Sequence, residues 1–165
     1  MNTQLTELYL GLNQLSGSIP TSLFNCTKFQ IIDLDHNQLS GVVPMEFSKL
    51  TQLQWLNLGD NQLVSGNTTT LPILTALTNC STLGKLHLSR NNFKGRLPFS
   101  IGHLSKNLKF LNLRGNKLTG EIPPHIGNLT NLTVLDLDGN NLTGLIPSTF
   151  NMLQNLQELD MSFNN

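Results

Sequence analysis

The sequence repeats itself. Aligned on Leu5, Phe29, Leu53, Leu83, Leu108, Leu132 and Leu156, it returns to the pattern L-x-x-L-x-L-x-x-N-x-L at intervals of 24, 24, 30, 25, 24 and 24 residues. A period in the range of about 20–50 residues restricts a chain to a stacked array, because one unit cannot bury its own apolar face. The ninth position is Asn in every unit: Asn13, Asn37, Asn61, Asn91, Asn116, Asn140 and Asn164. The second unit opens with Phe29 and has Ile32 in the second Leu place, and Phe93 closes the pattern in the fourth.

Within a unit, leucines such as Leu8 and Leu10, Leu56 and Leu58, or Leu135 and Leu137 are two apart, so each pair points to one face of a short strand. Stacking the units makes a parallel sheet over a continuous core. Seven strands at about 4.8 Å give a slab roughly 30 Å long. An Asn side chain both donates and accepts, so a buried column of them is expected to act as a structural ladder that satisfies backbone groups of adjacent coils. In five of the six full repeats a second motif follows: Gly17-Ser18-Ile19-Pro20, Gly41-Val42-Val43-Pro44, Gly95-Arg96-Leu97-Pro98, Gly120-Glu121-Ile122-Pro123 and Gly144-Leu145-Ile146-Pro147. Gly permits a tight turn and Pro sets the exit direction, which leaves little room for a regular helix on the outer side. The expected fold is an α/β repeat solenoid, with a parallel β-sheet on the concave face and a mostly 3₁₀ or irregular convex side. Residues 1–165 read as one domain of six full repeats, starting at 5, 29, 53, 83, 108 and 132, and a partial one from 156.

The third repeat departs from this. It is six residues longer, and Val64-Ser65-Gly66-Asn67-Thr68-Thr69-Thr70 stands in place of the Gly-x-Ile-Pro step. Apolar residues at helical spacing follow in Leu71–Leu77, with Pro72 placed to open a helix. The segment is either a local bulge on the convex side or a binding loop.

Formal net charge is zero and the isoelectric point is near 6.9, so nucleic-acid and membrane-surface roles have no electrostatic support. No stretch approaches the 18 or so apolar residues of a membrane span, and no signal peptide is visible in Met1–Leu5. Cys26 and Cys80 take the place that Leu50, Leu104 and Leu129 hold elsewhere. They lie two coils apart, about 10 Å, beyond the roughly 7 Å a disulfide tolerates, so both are expected to stay reduced. His36, His87, His103 and His125 lack ligand spacing, and no metal or other cofactor is expected. His87 and Ser89 share a strand, but no strained elbow or oxyanion loop accompanies them, and the chain is not expected to be an enzyme.

Binding chemistry is expected where side chains flank the buried leucines. The third column runs Glu7, Ile31, Trp55, Lys85, Phe110, Val134, Glu158, and the fifth Tyr9, Asp33, Asn57, His87, Asn112, Asp136, Asp160. The seventh column holds Asp35, Arg114 and Asp138, and the eighth His36, Asp60, Arg90 and Phe163. Eight of the ten basic residues lie between Lys85 and Lys117, so the face reads acidic, basic around Lys85, Arg90 and Arg114, then acidic again. Aromatics and Arg anchor interfaces, which nominates Tyr9, Asp33, Trp55, Lys85, His87, Arg90, Phe110, Arg114 and Asp136 as ligand contacts. The bland alternative is that these charges only solvate an exposed sheet. Six glycosylation sequons occur, at Asn25, Asn67, Asn79, Asn128, Asn131 and Asn141, with Asn67 in the irregular loop the best placed.

The full signature, L-x-x-L-x-L-x-x-N-x-L-x-G-x-I-P, resembles the plant-type leucine-rich repeat of receptor-like kinase and receptor-like protein ectodomains. The resemblance runs from Leu5 to Asn165. The extended third repeat ending Leu77-Thr78-Asn79-Cys80-Ser81-Thr82-Leu83, with Leu97–Ser105 after it, is similar to the immune-receptor subfamily that senses bacterial proteins. The resemblance implies a leucine-rich-repeat horseshoe on the extracellular face of the plasma membrane. Its partners would be a peptide or protein ligand and a co-receptor kinase ectodomain, in defence or developmental signalling. A kinase-less receptor-like protein, a secreted enzyme inhibitor, or a gene remnant with no ligand are the alternatives. The paired-cysteine cap, closing cap, membrane helix and kinase of a complete receptor are missing from these residues, so the ends are expected to leave Leu5 and Leu159 uncovered. The Arg-x-Arg pair with which some relatives read a free peptide carboxylate does not occur.

Overall fold

The computed structural model describes residues 4–165. Seven three-residue strands form one parallel sheet: β1 (Glu7–Tyr9), β3 (Ile31–Asp33), β5 (Trp55–Asn57), β7 (Lys85–His87), β9 (Phe110–Asn112), β11 (Val134–Asp136) and β13 (Glu158–Asp160). They pair in the order of the repeats, so each coil contributes one strand and lies against the next. The register aligns Leu8, Ile32, Leu56, Leu86, Leu111, Leu135 and Leu159 into one inward column. Its five middle members are fully enclosed, as are Leu58, Leu88, Leu113 and Leu137 two positions on. Burying one such side chain contributes roughly 1.5–3 kcal/mol, and each needs both neighbouring coils to do it. In the last strand Leu159 is 42% exposed, and Leu5, before the first, is half-buried.

The outer side is 3₁₀, as the Gly-x-Ile-Pro steps imply. Turns occupy Thr21–Asn25, Met45–Lys49, Leu77–Asn79, Phe99–His103, Pro124–Asn128 and Ser148–Met152. Five start directly after a proline, and in each the proline carbonyl accepts the N–H three residues on, as in Leu23 N–H to Pro20 O at 3.0 Å and Ile101 N–H to Pro98 O at 3.0 Å. The ring fixes φ for entry and removes a donor that would otherwise go unpaired. Each turn ends on an enclosed apolar residue: Cys26, Leu50, Cys80, Leu104, Leu129 or Leu153. The two cysteines are thiols and not a disulfide. Burial pushes the Cys80 thiol up to about 11, so it packs as a small hydrophobe and is a poor nucleophile.

The asparagines tie coil to coil. Asn61 donates to Leu34 O of the preceding coil at 3.0 Å and to Gly59 O of its own at 2.9 Å, and its Oδ1 accepts the Leu39 N–H at 2.9 Å. Asn37, Asn91, Asn116, Asn140 and Asn164 repeat this arrangement. The residue before each Asn sits in the left-handed region: Leu12, His36, Asp60, Arg90 and Phe163 at φ 46–56°, with Gly115 and Gly139 at 64°. The ladder imposes this conformation on non-glycine residues at roughly 1–2 kcal/mol apiece.

The remaining strands, β2 (Ser16–Gly17), β4 (Gln38–Val42), β6 (Gln62–Val64), β8 (Lys94–Arg96), β10 (Lys117–Glu121) and β12 (Asn141–Thr143), make two lateral parallel sheets of three. The long third repeat separates them. Residues 65–69 leave the ladder between the bridges Val64–Asn92 and Thr70–Arg96. Ser65 fills the gap with its hydroxyl, which donates to Lys94 O and accepts the Lys94 N–H, both at 2.9 Å. Helix α1 (Pro72–Ala76) then opens at Pro72 and buries Ile73, Leu74 and Ala76. The extra residues therefore form a lateral bulge and a convex helical turn, away from the seven-stranded sheet. Gly95 lies under the bulge at φ +92°, and a Cβ there would sit 2.9 Å from Thr69 O. Gly95→Ala is expected to lower unfolding free energy by about 1–3 kcal/mol, read from the urea midpoint at unchanged slope.

Candidate functional site

Alternation about the buried leucines turns the third and fifth positions outward, and the strand register makes them two continuous rows. One is Glu7, Ile31, Trp55, Lys85, Phe110, Val134, Glu158; the other is Tyr9, Asp33, Asn57, His87, Asn112, Asp136, Asp160. The aromatic members meet. Tyr9 meets Trp55 edge to face, with ring centroids 6.4 Å apart. Lys85 Nζ stands 5.7 Å from the centre of the Trp55 ring, and His87 stacks on Phe110 at 4.3 Å with the rings 9° from parallel. Such contacts hold large side chains in fixed positions at an open surface. Burial, with Lys85 next, holds the His87 imidazole below its usual range against the opposing pull of Asp35, so at neutral pH it is an uncharged ring. Trp55 Nε1 is enclosed and has no hydrogen-bond partner among the described residues.

The fifth column divides by chemistry. Asp33, Asn57, Asn112, Asp136 and Asp160 each accept, through Oδ1, the N–H two residues on, at 2.9–3.3 Å. These side chains hold the turn that leaves the strand. Asp33 and Asp136, nominated as ligand contacts, therefore have a local structural task. Burial is the leading cause that raises both carboxyls, while the Ser162 backbone N–H lowers that of Asp160. Tyr9 and His87 cannot make this bond, and they are the members of the column that join the aromatic row. The sequence carried this signal: a column of Asp and Asn broken at two positions by rings.

The charge pattern also changes once distances are known. Arg90 reaches Asp60 at 3.4 Å, and Arg114 Nε pairs with Asp138 Oδ2 at 3.0 Å. Asp138 is only 4% exposed, so it does not project from the sheet as its column suggested; its Oδ1 is buried and unpaired among the described residues. His36 lies between Asp35 at 3.0 Å and Asp60 at 3.8 Å. Arg90 and Arg114 thus serve neighbouring coils first, and Lys85 is the cation that faces the aromatic row. Among the described residues no cluster of three metal-ligating side chains occurs. Of the sequon asparagines, Asn25, Asn67, Asn79, Asn131 and Asn141 are exposed and Asn128 is half-buried. Asn131 donates to Lys106 O at 2.8 Å and Asn79 to Ser48 O at 3.5 Å.

Sequence profiles for leucine-rich repeats match residues 3–63, 82–104, 106–148 and 153–165. A putative leucine-rich repeat receptor-like serine/threonine-protein kinase of Arabidopsis thaliana is 48% identical over 132 residues, covering 78% of this chain and 14% of that protein. Among solved structures, the plant peptide hormone receptor RGFR1 in complex with RGF2 superposes with a TM-score of 0.90 at 36% identity, over 99% of this chain and 25% of that one. The Arabidopsis receptor kinase HAESA, in complex with the peptide hormone IDA and the co-receptor SERK1, gives 0.73 at 31% identity, over 99% and 30% respectively. The chain thus spans about a seventh of that curated relative's length.

Proposed function

Because the chain belongs to the leucine-rich repeat family and is similar to plant receptor ectodomains, we propose that it reads a peptide or protein ligand as part of a plant cell-surface receptor-like kinase. Its place is outside the plasma membrane; no helix among the described residues is long and apolar enough to cross one. The observation that carries this reading is the row of Tyr9, Trp55, Lys85, His87 and Phe110 across the open face. Rigid rings flanked by one cation are the residue types that dominate binding energy at interfaces. Parallel strands in register also present a continuous track along which an extended peptide can lie. Arg90, Arg114 and the fifth-column acids flank that track and set the charge a ligand meets. A co-receptor ectodomain is a second partner consistent with the neighbours. The kinase-less receptor-like protein uses the same surface, and a membrane helix and kinase downstream in the gene separate the two.

The test is direct. Take the tightest binder from a library of secreted plant peptides, and titrate it against the chain and its variants by calorimetry. Trp55→Ala with Phe110→Ala weakens binding at least tenfold, while Phe99→Ala on the convex side leaves it unchanged. Equal affinities for all three proteins would retire the face as the reading surface.

A further inference from the structure

The bulge of the third repeat makes a pocket. Where residues 65–69 leave the lateral ladder, a cavity of about 400 Å³ opens, walled by Val42, Met45, Val64, Leu71, Pro72 and Phe93, with Asn67 at its edge. Val42 and Met45 are 53% and 45% exposed, so part of this apolar wall is wet. The volume falls at the low end of ligand sites, which run from about 300 to 1,000 Å³. Its geometry is braced. Gly66, at φ +77°, turns the chain directly over Val42, whose two methyls lie 3.4 Å from where a Cβ would stand. The Thr68 hydroxyl contacts Ser65 O at 3.2 Å and Thr70 O at 2.8 Å across the arch. Asn67 is therefore held between two fixed points. It opens the acceptor tripeptide Asn67-Thr68-Thr69 and is exposed. Where Asn79 and Asn131 spend their amides on neighbouring coils, the Asn67 side chain has no hydrogen bond among the described residues.

We propose that Asn67 carries an N-linked glycan whose first N-acetylglucosamine folds back into this pocket and lays its ring face and acetyl methyl on Val42, Met45 and Pro72. A β-linked N-acetylglucosamine keeps its hydroxyls around the rim of the ring, so its face is a sheet of C–H groups. That amphipathic shape matches a wet pocket with an apolar wall. The sugar is tethered one side chain away, so it binds intramolecularly and a weak contact suffices. The glycan thereby covers apolar surface created by the insertion and stiffens the one place where the lateral sheet is interrupted. The inference shares with the proposed function only the placement outside the membrane.

The experiment uses the chain secreted, behind a cleavable leader, from cells that make high-mannose glycans. Glycopeptide mass spectrometry reads occupancy of Asn67, and thermal unfolding is compared for the intact glycoprotein, the same protein trimmed by endoglycosidase H to one sugar per site, and Asn67→Gln. Asn67 is occupied, trimming leaves Tm unchanged, and Asn67→Gln lowers it by about 2–4 °C. Val42→Ser lowers Tm in the glycosylated protein, and in the Asn67→Gln background its effect shrinks to less than half, because the two share one contact. An unmodified Asn67, a Tm lost on trimming, or full additivity of the two substitutions overturns the proposal. None of these results depends on peptide affinity, and a negative result for Trp55 and Phe110 leaves this pocket untouched.

Discussion

Asn91→Ala is expected to destabilise the chain by on the order of 3 kcal/mol. The side chain is 6% exposed and stands at the join of the third and fourth coils. It donates to Leu58 O at 2.8 Å and Ser89 O at 3.1 Å, and accepts the Leu63 N–H at 2.9 Å. Alanine leaves that N–H enclosed with no partner, at a cost of about 1–3 kcal/mol, and strips the Leu58 carbonyl of its shorter bond, leaving it only Asn61 Nδ2 at 3.3 Å. The lateral sheet is already broken at this join, so backbone pairing there does little to compensate. Urea unfolding followed by circular dichroism gives the midpoint. Asn13→Ala is the control: Asn13 is exposed and its side chain, among the described residues, bonds only to Leu10 O and Gly11 O of its own coil, so its loss costs well under half as much. Equal losses at the two positions would mean that the column does not hold coils together. A split transition in Asn91→Ala is also expected, because a solenoid weakened at one joint unfolds in segments.

Phe93→Ala is expected to cost about 3–5 kcal/mol, the usual penalty for removing an enclosed aromatic ring. Phe93 is fully buried, at the position where the other coils have Leu15, Leu39, Leu63, Leu118 and Leu142. It also walls the pocket formed by the longer third coil. The larger side chain fills volume that the six additional residues open beside it. The fall in Tm is about 10 °C for Ala, since each kcal/mol moves a domain of this size by roughly 2–4 °C. Phe93→Leu restores the residue of the other coils but not the volume, and costs about a third as much. Calorimetry of the three proteins decides: a leucine variant as stable as the parent would show that the ring fills no extra space.

Much of this architecture is legible in the sequence because its period is enforced by burial. Leu56 must point inward for its coil to stack, so Trp55 and Asn57 must point outward, and no long-range information is needed. The prolines likewise announce the 3₁₀ turns, and Pro72 the short helix. What escapes a linear reading is contact between coils. Asp138 falls in the same column as half-buried Asp35, yet it is enclosed beside Arg114, because pairing with the preceding coil draws it in. Arg90 and Arg114 read as free cations until Asp60 and Asp138 are seen to hold them. Arg90, His36 and Leu12 give no local hint of a left-handed backbone; the asparagine that follows each one dictates it. The Ser65 hydroxyl that replaces a missing ladder bond belongs to the same class. Of the nominated ligand contacts, rings and charges were identifiable by type, whereas the turn-holding task of Asp33 and Asp136 required the backbone geometry.

The central claim is sidedness: one regular lattice of leucines puts Tyr9, Trp55, His87 and Phe110 on a common open face and every other large ring of the strands and turns inside or elsewhere. Hydroxyl-radical footprinting read by mass spectrometry measures this residue by residue. The account predicts oxidation at Tyr9, Trp55, His87 and Phe110, silence at Phe29, Phe47 and Phe93, and joint protection of the first group when a peptide binds. Strong labelling of Phe29, Phe47 or Phe93 in the folded chain, or a bound peptide that protects Phe99 and leaves Trp55 and Phe110 reactive, would contradict it.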